Sequence, residues 1–300
     1  MNTLLISVAA HLVKEEVVPL IDLIQKRTLA DTKALALDSA HRVAFHRGLG
    51  NPLHQSSTVW KKYVDRDTIE YFSKVAYAKS NIAITANGAD SAAVSKWVGE
   101  FFSGAPAAAP GDGPAIESQQ TKYHGGEERI ANTSGNTIVL AFPGSSSSTG
   151  AFYKPEIQVL ASLLGGASSI KWSPGFSLLS KAIAGQSGVS VETKSDIYSD
   201  AGLLTVAITG SAKDVTGAAY KAVETIKKVA AGEISAEDFS KAVAQAKFKE
   251  LEHGQNIWGS LELTGAGLIH GGKAYQLDET AQKIGSVTQD QLKKVGCPCF

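Results

Sequence analysis

The stretch Ser103–Pro114 reads Ser-Gly-Ala-Pro-Ala-Ala-Ala-Pro-Gly-Asp-Gly-Pro. Three prolines and three glycines within it remove backbone donors and loosen the chain, so neither a helix nor a strand runs through it. A chain of 300 residues has room for about two domains at roughly 150 residues each. The Pro/Gly stretch supplies the boundary between them. The expected organisation is a first domain over 1–102, a linker over 103–121 and a second domain over 122–300.

Composition narrows the class. Lys plus Arg and Asp plus Glu are both 29, so the formal charge is zero, which argues against a whole-chain basic footprint for nucleic acid. Hydrophobic residues are 43% and charged residues 19%, the balance of a packed chain rather than a disordered one. The two cysteines, Cys297 and Cys299, stand in the last four residues. They have no second pair to complete a zinc site, and a reducing compartment fits their scarcity. No apolar run approaches the ~20 residues that a membrane-crossing helix needs. Leu4–Leu12 contains His11 and is followed by Lys14, Glu15 and Glu16, unlike the apolar centre of a secretory signal or an acid-poor presequence. The protein is therefore expected to stay where it is made, or to be a chain whose natural start lies earlier.

Periodicity assigns most elements. Apolar residues at helical spacing mark 9–29 and 31–47, the second ending at Gly48, Gly50 and Asn51-Pro52. Asp65 and Asp67 are placed to cap a helix near 66–78 that buries Ile69, Phe72 and Val75. Asn81–Ala86 alternates as a strand. Asp90 caps a following helix with Val94, Trp97, Val98 and Phe101 on one face. Beyond the linker, Lys122–Asn132 and Asn136–Phe142 are expected as strands, Pro143–Thr149 as a loop, Pro155–Leu164 as a helix and Gly165–Gly175 as a second loop. Phe176–Ala184 is helical. Gly188–Lys194 and Leu203–Thr209 form two strands around the turn Ser199–Gly202. Helices follow over 214–231, 235–252 (opened by the box Ser235-x-x-Asp238), 256–270, 276–284 and 289–294. Val64-x-x-Asp67-x-Ile69 recurs as Val287-x-x-Asp290-x-Leu292, which points to two related halves.

No constellation carries a chemistry outright. Gly267-Leu-Ile-His-Gly-Gly272-Lys273-Ala274 has phosphate-loop spacing, but Ala274 replaces the magnesium-holding hydroxyl, and a helical stretch precedes it instead of a strand. Gly185-Gln-Ser187-Gly188 lacks the second glycine of a nucleophile elbow. Of His11, His41, His46, His54, His124, His253 and His270, no two sit one helical turn apart beside a glutamate, as zinc hydrolysis requires. Asn132-Thr-Ser134 is a glycosylation sequon, relevant only to a secreted chain. No catalytic, cofactor-binding or metal-binding residue is assigned, and no cofactor is expected.

Three strings carry a resemblance. They are Leu37-Asp-Ser-Ala-His-Arg-Val-Ala-Phe-His-Arg-Gly-Leu-Gly50, Tyr77-Ala-Lys-Ser-Asn-Ile-Ala-Ile, and Leu163-Leu-Gly-Gly-Ala-Ser-Ser-Ile-Lys-Trp-Ser-Pro-Gly175. From residue 9 to 295 the chain resembles the core-protein 2 family of fungal cytochrome b–c1 complexes (ubiquinol–cytochrome c reductase, complex III). Its wider relatives are the mitochondrial processing peptidases and pitrilysin-type zinc peptidases. The resemblance implies an α+β fold of two homologous domains, each a sheet flanked by helices. Relative to that family the first domain lacks its opening strands and the second lacks its last strand and helix, so the chain looks truncated at both ends. A sheet missing strands exposes edges and helix faces, which predicts poor solubility alone.

The same resemblance implies a non-catalytic structural subunit of complex III. It would lie peripherally on the matrix side of the mitochondrial inner membrane, with core protein 1, cytochrome b and other complex III subunits as partners and no span of its own. Active relatives carry an inverted His-x-x-Glu-His motif, which is missing here. The alternative is a substrate-binding, non-catalytic subunit of the processing peptidase, which holds presequence peptides on a glycine-rich loop. Gly165–Gly175 lies in the comparable region, although Ile170, Lys171, Trp172 and Pro174 make it bulkier.

Overall fold

A computed structural model describes residues 18–53, 56–107, 120–166, 175–186 and 188–299. The expected helical residues 9–17, His11, His54, Ser187, the rest of the linker and 167–174 of the second loop lie outside these. The first half is helical: α1 (Val18–Ala30), α2 (Thr32–Phe45), a 3-10 turn (Gly48–Gly50), α3 (Ser57–Tyr63), α4 (Arg66–Ala76) and α5 (Ser91–Phe101). Asp31 starts α2 by accepting from the Lys33 and Ala34 amides, Asp65 starts α4 by accepting from Thr68, and Asp90 starts α5 by accepting from Ala93. Each carboxylate satisfies a donor that the first helical turn leaves open.

The second half builds β1 (Asn136–Pro143), α6 (Pro155–Leu164), α7 (Leu178–Ile183), β2 (Ser190–Ile197), β3 (Gly202–Gly210), α8 (Ala212–Ala231), α9 (Ala236–Gln255), α10 (Ile257–Gly271), α11 (Leu277–Gly285) and α12 (Gln289–Cys299). The strands form one antiparallel sheet in the order β1-β3-β2, with Val206 opposite Leu140 on one side and Thr193 on the other. Side chains alternate across a sheet. Leu204, Val206 and Ile208 therefore face a helical layer together with Ile138, Leu140, Phe142 and Val191. That layer contributes Leu160 and Leu164 of α6, Ala218, Ala222 and Ile226 of α8, Ile284 of α11 and Leu292 of α12, which complete the main core. The opposite face of β3 presents Leu203, which packs with Ala141 against Ala44 and Phe45 of α2. Covering both faces explains why β3 is buried from Gly202 through Ile208.

Several expectations are corrected. Asn81–Ala86 forms no strand: Lys79–Asn81 closes a 3-10 turn, and Ile82 is extended without a ladder partner. Lys122–Asn132 is likewise outside any ladder. Alternation establishes a preference for extended backbone, but a strand exists only where a second one meets it. Phe72 is 65% exposed instead of buried, while Val75 on the same helix is covered. The last helix runs past residue 294 to Cys299. Among the described residues the sheet is a single three-stranded one, so a sheet in each half is not seen. The recurring Val-x-x-Asp motif falls at matching places: Val64 joins α3 to α4, and Val287 joins α11 to α12.

Candidate functional site

Two neighbourhoods hold most of the polar chemistry. The first is the base of the loop after α6. Gly165 ends α6 at φ +58 and Gly175 sits at φ +87, both left-handed values that favour glycine. A side chain at Gly165 would overlap Ser177, and one at Gly175 would crowd the Ser180 hydroxyl. Ser177 Oγ accepts from the Gly166 amide at 3.1 Å and lies 2.7 Å from Ser180 Oγ, and Ser180 donates to the Gly166 carbonyl. Two serines thus tie the ends of the loop together. Ser177 also caps α7, so the clamp and the helix start are one unit. The bulky residues Ile170, Lys171, Trp172 and Pro174 lie outside the described segments.

The second is the seam between α2 and the sheet. His41 Nδ1 is 2.8 Å from the Leu37 carbonyl and its Nε2 is 2.7 Å from Tyr198 Oη. A carbonyl only accepts, so Nδ1 carries the proton and Nε2 accepts from Tyr198. The Tyr198 hydroxyl is pushed up by burial and then by the Asp196 carboxylate. Nearby, Glu128 accepts from Ser39 Oγ at 2.6 Å and from Arg42 Nη2 at 2.7 Å. Those two partners hold its carboxyl below the usual carboxylate range. His46 and His124 stack with ring centroids 4.4 Å apart. An open cleft of about 500 Å³ beside them is lined by Arg42, Val43, His46, Gly125, Glu127 and Glu128.

A third polar group lies half-buried within the helical layer. Tyr275 donates to Glu250 at 2.6 Å, and Gln158 bridges Glu250 to Tyr153. Both phenols are pushed up, by burial first and by Glu250 next, so they stay protonated donors. This network joins α6, α9 and the segment before α11.

The sequence motifs resolve plainly. Gly267–Lys273 is a helix C-terminus, with Gly272 in the left-handed conformation and its amide bonded to the Gly267 carbonyl. That end presents carbonyls, the wrong polarity for phosphate. Its glycines admit the neighbouring loop, since a methyl at Gly271 would overlap the Thr149 carbonyl. Among the described residues no three His, Cys, Asp or Glu side chains are grouped to hold a metal ion, and no helix is long and apolar enough to cross a membrane. Asn132 of the sequon spends its amide on the Leu29 carbonyl. Sequence reading missed the His41–Tyr198 and Ser39–Arg42–Glu128 contacts. Their partners stand 157 and 86–89 positions apart, and no local pattern signals such a pairing.

Part of the open surface is apolar. Phe72 of α4 is 65% exposed, and Trp97 and Phe101 of α5 are stacked 5.3 Å apart yet 57% and 70% exposed. Among the described residues, neither helix packs extensively on another element. Trp258 of α10 is 81% exposed. Exposed aromatic faces of this kind mark surfaces built to be covered.

Comparison with known proteins follows the same direction. Residues 63–246 match the family model described as the peptidase M16 inactive domain, and the match runs across the Pro/Gly stretch. The mitochondrial cytochrome b-c1 complex subunit 2 of Neurospora crassa is 44% identical over 270 residues, covering 90% of this chain and 58% of that protein. Its counterpart in Yarrowia lipolytica is 32% identical over 259 residues, covering 86% and 58%. The mitochondrial-processing peptidase subunit alpha-2 of Dictyostelium discoideum is 25% identical over 277 residues, covering 88% and 59%. The chain thus spans less than two thirds of the length of these relatives. Among solved structures, a chain of complex III2 from Candida albicans superposes with a TM-score of 0.73 at 17% identity, covering 98% of this chain and 72% of that one. That likeness concerns the fold.

Proposed function

We propose a function that proceeds from one fact: the chain belongs to the peptidase M16 inactive-domain family. Within that family it serves as a non-catalytic structural subunit of mitochondrial respiratory complex III. It lies peripherally on the matrix side of the inner membrane and supports assembly and stability of the ubiquinol–cytochrome c reductase. Its partners are core protein 1, cytochrome b and the other subunits. The observation that carries this reading is the 44% identity over 270 residues to a cytochrome b-c1 complex subunit 2. The exposed aromatic faces of α4, α5 and α10 support it, since a subunit that works by packing needs surface to pack with.

We also read the chain as two related units, over 1–102 and 122–300, joined by the linker 103–121. The matched helix junctions at Val64 and Val287 support the relation between the halves.

A second reading has its own observation, the 25% identity to a processing-peptidase subunit. There the clamped loop after α6 would hold a presequence peptide. Affinity capture of the tagged chain from mitochondria separates the two. Recovery of cytochrome b and core protein 1 is expected. Recovery of an active peptidase partner, with presequence peptide bound to this chain, would replace the first reading by the second.

A further inference from the structure

We propose that residues 120–132 form a strap across α2 that acidification releases, with the His46–His124 stack as its clasp. The inference is independent of which complex the chain joins.

The strap is held at separate points instead of along a ladder. At its start the Thr121 amide and hydroxyl both donate to Asp200 Oδ2, at 2.9 and 2.6 Å. Tyr123 donates to the Ala141 carbonyl at 3.0 Å and meets Phe45 edge-on. The His124 amide donates to the Ala44 carbonyl at 2.8 Å, closing the end of α2. Further along, Glu128 is seated on Ser39 and Arg42. Between the two groups of anchors lie Gly125 and Gly126, at φ +73 and +147, a place where the backbone bends at little steric cost. The open cleft of about 500 Å³ is lined by both glycines of this bend.

The clasp is set against charge. His46 ends α2 at φ +60, the one non-glycine residue with positive φ among those described, and this conformation turns its ring onto His124. The charged groups beside the pair are Arg42 from α2, and Lys122, Glu127 and Glu128 from the strap; the Gly48–Gly50 turn adds none. Glu128 is already paired with Arg42, and Glu127 with Arg129. Protonating the stack therefore puts two like charges 4.4 Å apart among cations whose carboxylate partners are engaged. His124 is held below the ordinary histidine value by loss of hydration, then by His46 and Lys122. A histidine lowered in the closed form leaves that form with fewer bound protons than the released one. Closure is thus strongest at high pH and weakens as pH falls below about 6.5, the ordinary value. Release through Glu128 belongs to a lower window, below the ordinary glutamate value near ~4.3.

Hydrogen exchange of the full chain, corrected for intrinsic rates, tests this together with NMR titration of the two imidazoles. Protection of 120–132, and of the His124 amide above all, is expected to fall at least threefold relative to β3 between pH 8 and pH 5.5. Its midpoint should match the imidazole titration. His46→Asn keeps a residue that tolerates positive φ and should move the His124 titration and the exchange step upward together. Constant strap protection over this range overturns the proposal, as does a step that fails to follow the imidazoles. If His46→Asn loosens the strap at every pH, coincidence or mismatch of the two midpoints in the unsubstituted chain decides.

Discussion

At the scale of single residues, the seam between α2 and the sheet is a set of paired donors and acceptors contributed from distant positions. Glu128 shows how its charge state sets the strength of this seam. Its folded value is depressed by Ser39 and Arg42, so its contribution is present above the unfolded value and is lost as pH falls through the folded one. Glu128→Gln is therefore expected to destabilise the chain at neutral pH, with the difference shrinking in acid melts once the pH falls below the ordinary glutamate range. An equal deficit at every pH would show that the charge is not the cause. The Tyr198 hydroxyl fills the acceptor Nε2 of His41. Tyr198→Phe leaves that half-buried nitrogen without its donor and should cost about 1 kcal/mol in denaturant unfolding, whereas an unchanged midpoint would mean that water substitutes fully.

At the scale of elements, caps and burial divide the work. Ser235 opens α9 by accepting from the Asp238 amide at 3.0 Å, and its hydroxyl lies 2.8 Å from the Asp238 carboxylate. Thr288 and Gln291 open α12 reciprocally, the Thr288 amide reaching Gln291 Oε1 at 2.8 Å. These starts are visible in sequence as Ser-x-x-Asp and Thr-x-x-Gln because the atoms that meet are three residues apart. The recurring Val-x-x-Asp junction then offers an internal control. Leu292 of α12 is fully buried in the main core, while Ile69 at the equivalent place in α4 is only half-buried. Leu292→Ala is expected to cost about 2–5 kcal/mol and Ile69→Ala less than half of that. Equal losses, read from chemical denaturation, would mean that the first-half helices are packed as deeply as the second.

At the scale of the whole molecule, one core is finished and another surface is not. The sheet is covered on both faces, by the α6–α8 layer and by α2, but α4 and α5 turn Phe72, Trp97 and Phe101 outward. Replacing these three by serine should change stability by no more than about 0.5 kcal/mol each, the range for exposed positions. The same variant should lower light scattering of the isolated chain, because an uncovered apolar face drives association. A monodisperse parent chain that melts cooperatively as a monomer would contradict that expectation. If the serine variant also fails to assemble in mitochondria, the same face is the one its partner covers.

Local chemistry in the sequence was enough for the helix starts at Asp65, Asp90 and Ser235 and for the β2–β3 hairpin. Each of these rests on atoms a few residues apart. The sequence also carried the family, through strings such as Leu37–Gly50. The tertiary structure decided the rest. Asn81–Ala86 and Lys122–Asn132 both alternate, yet among the described residues neither meets a second strand, and the second becomes a strap fixed at separate points. Phe72 has the spacing of a core residue and still faces outward, because helical periodicity selects a face without supplying what covers it. Pairings such as His41 with Tyr198 join residues 157 positions apart. They arise only when α2 is laid on the sheet, a consequence of long-range packing that no window of sequence contains.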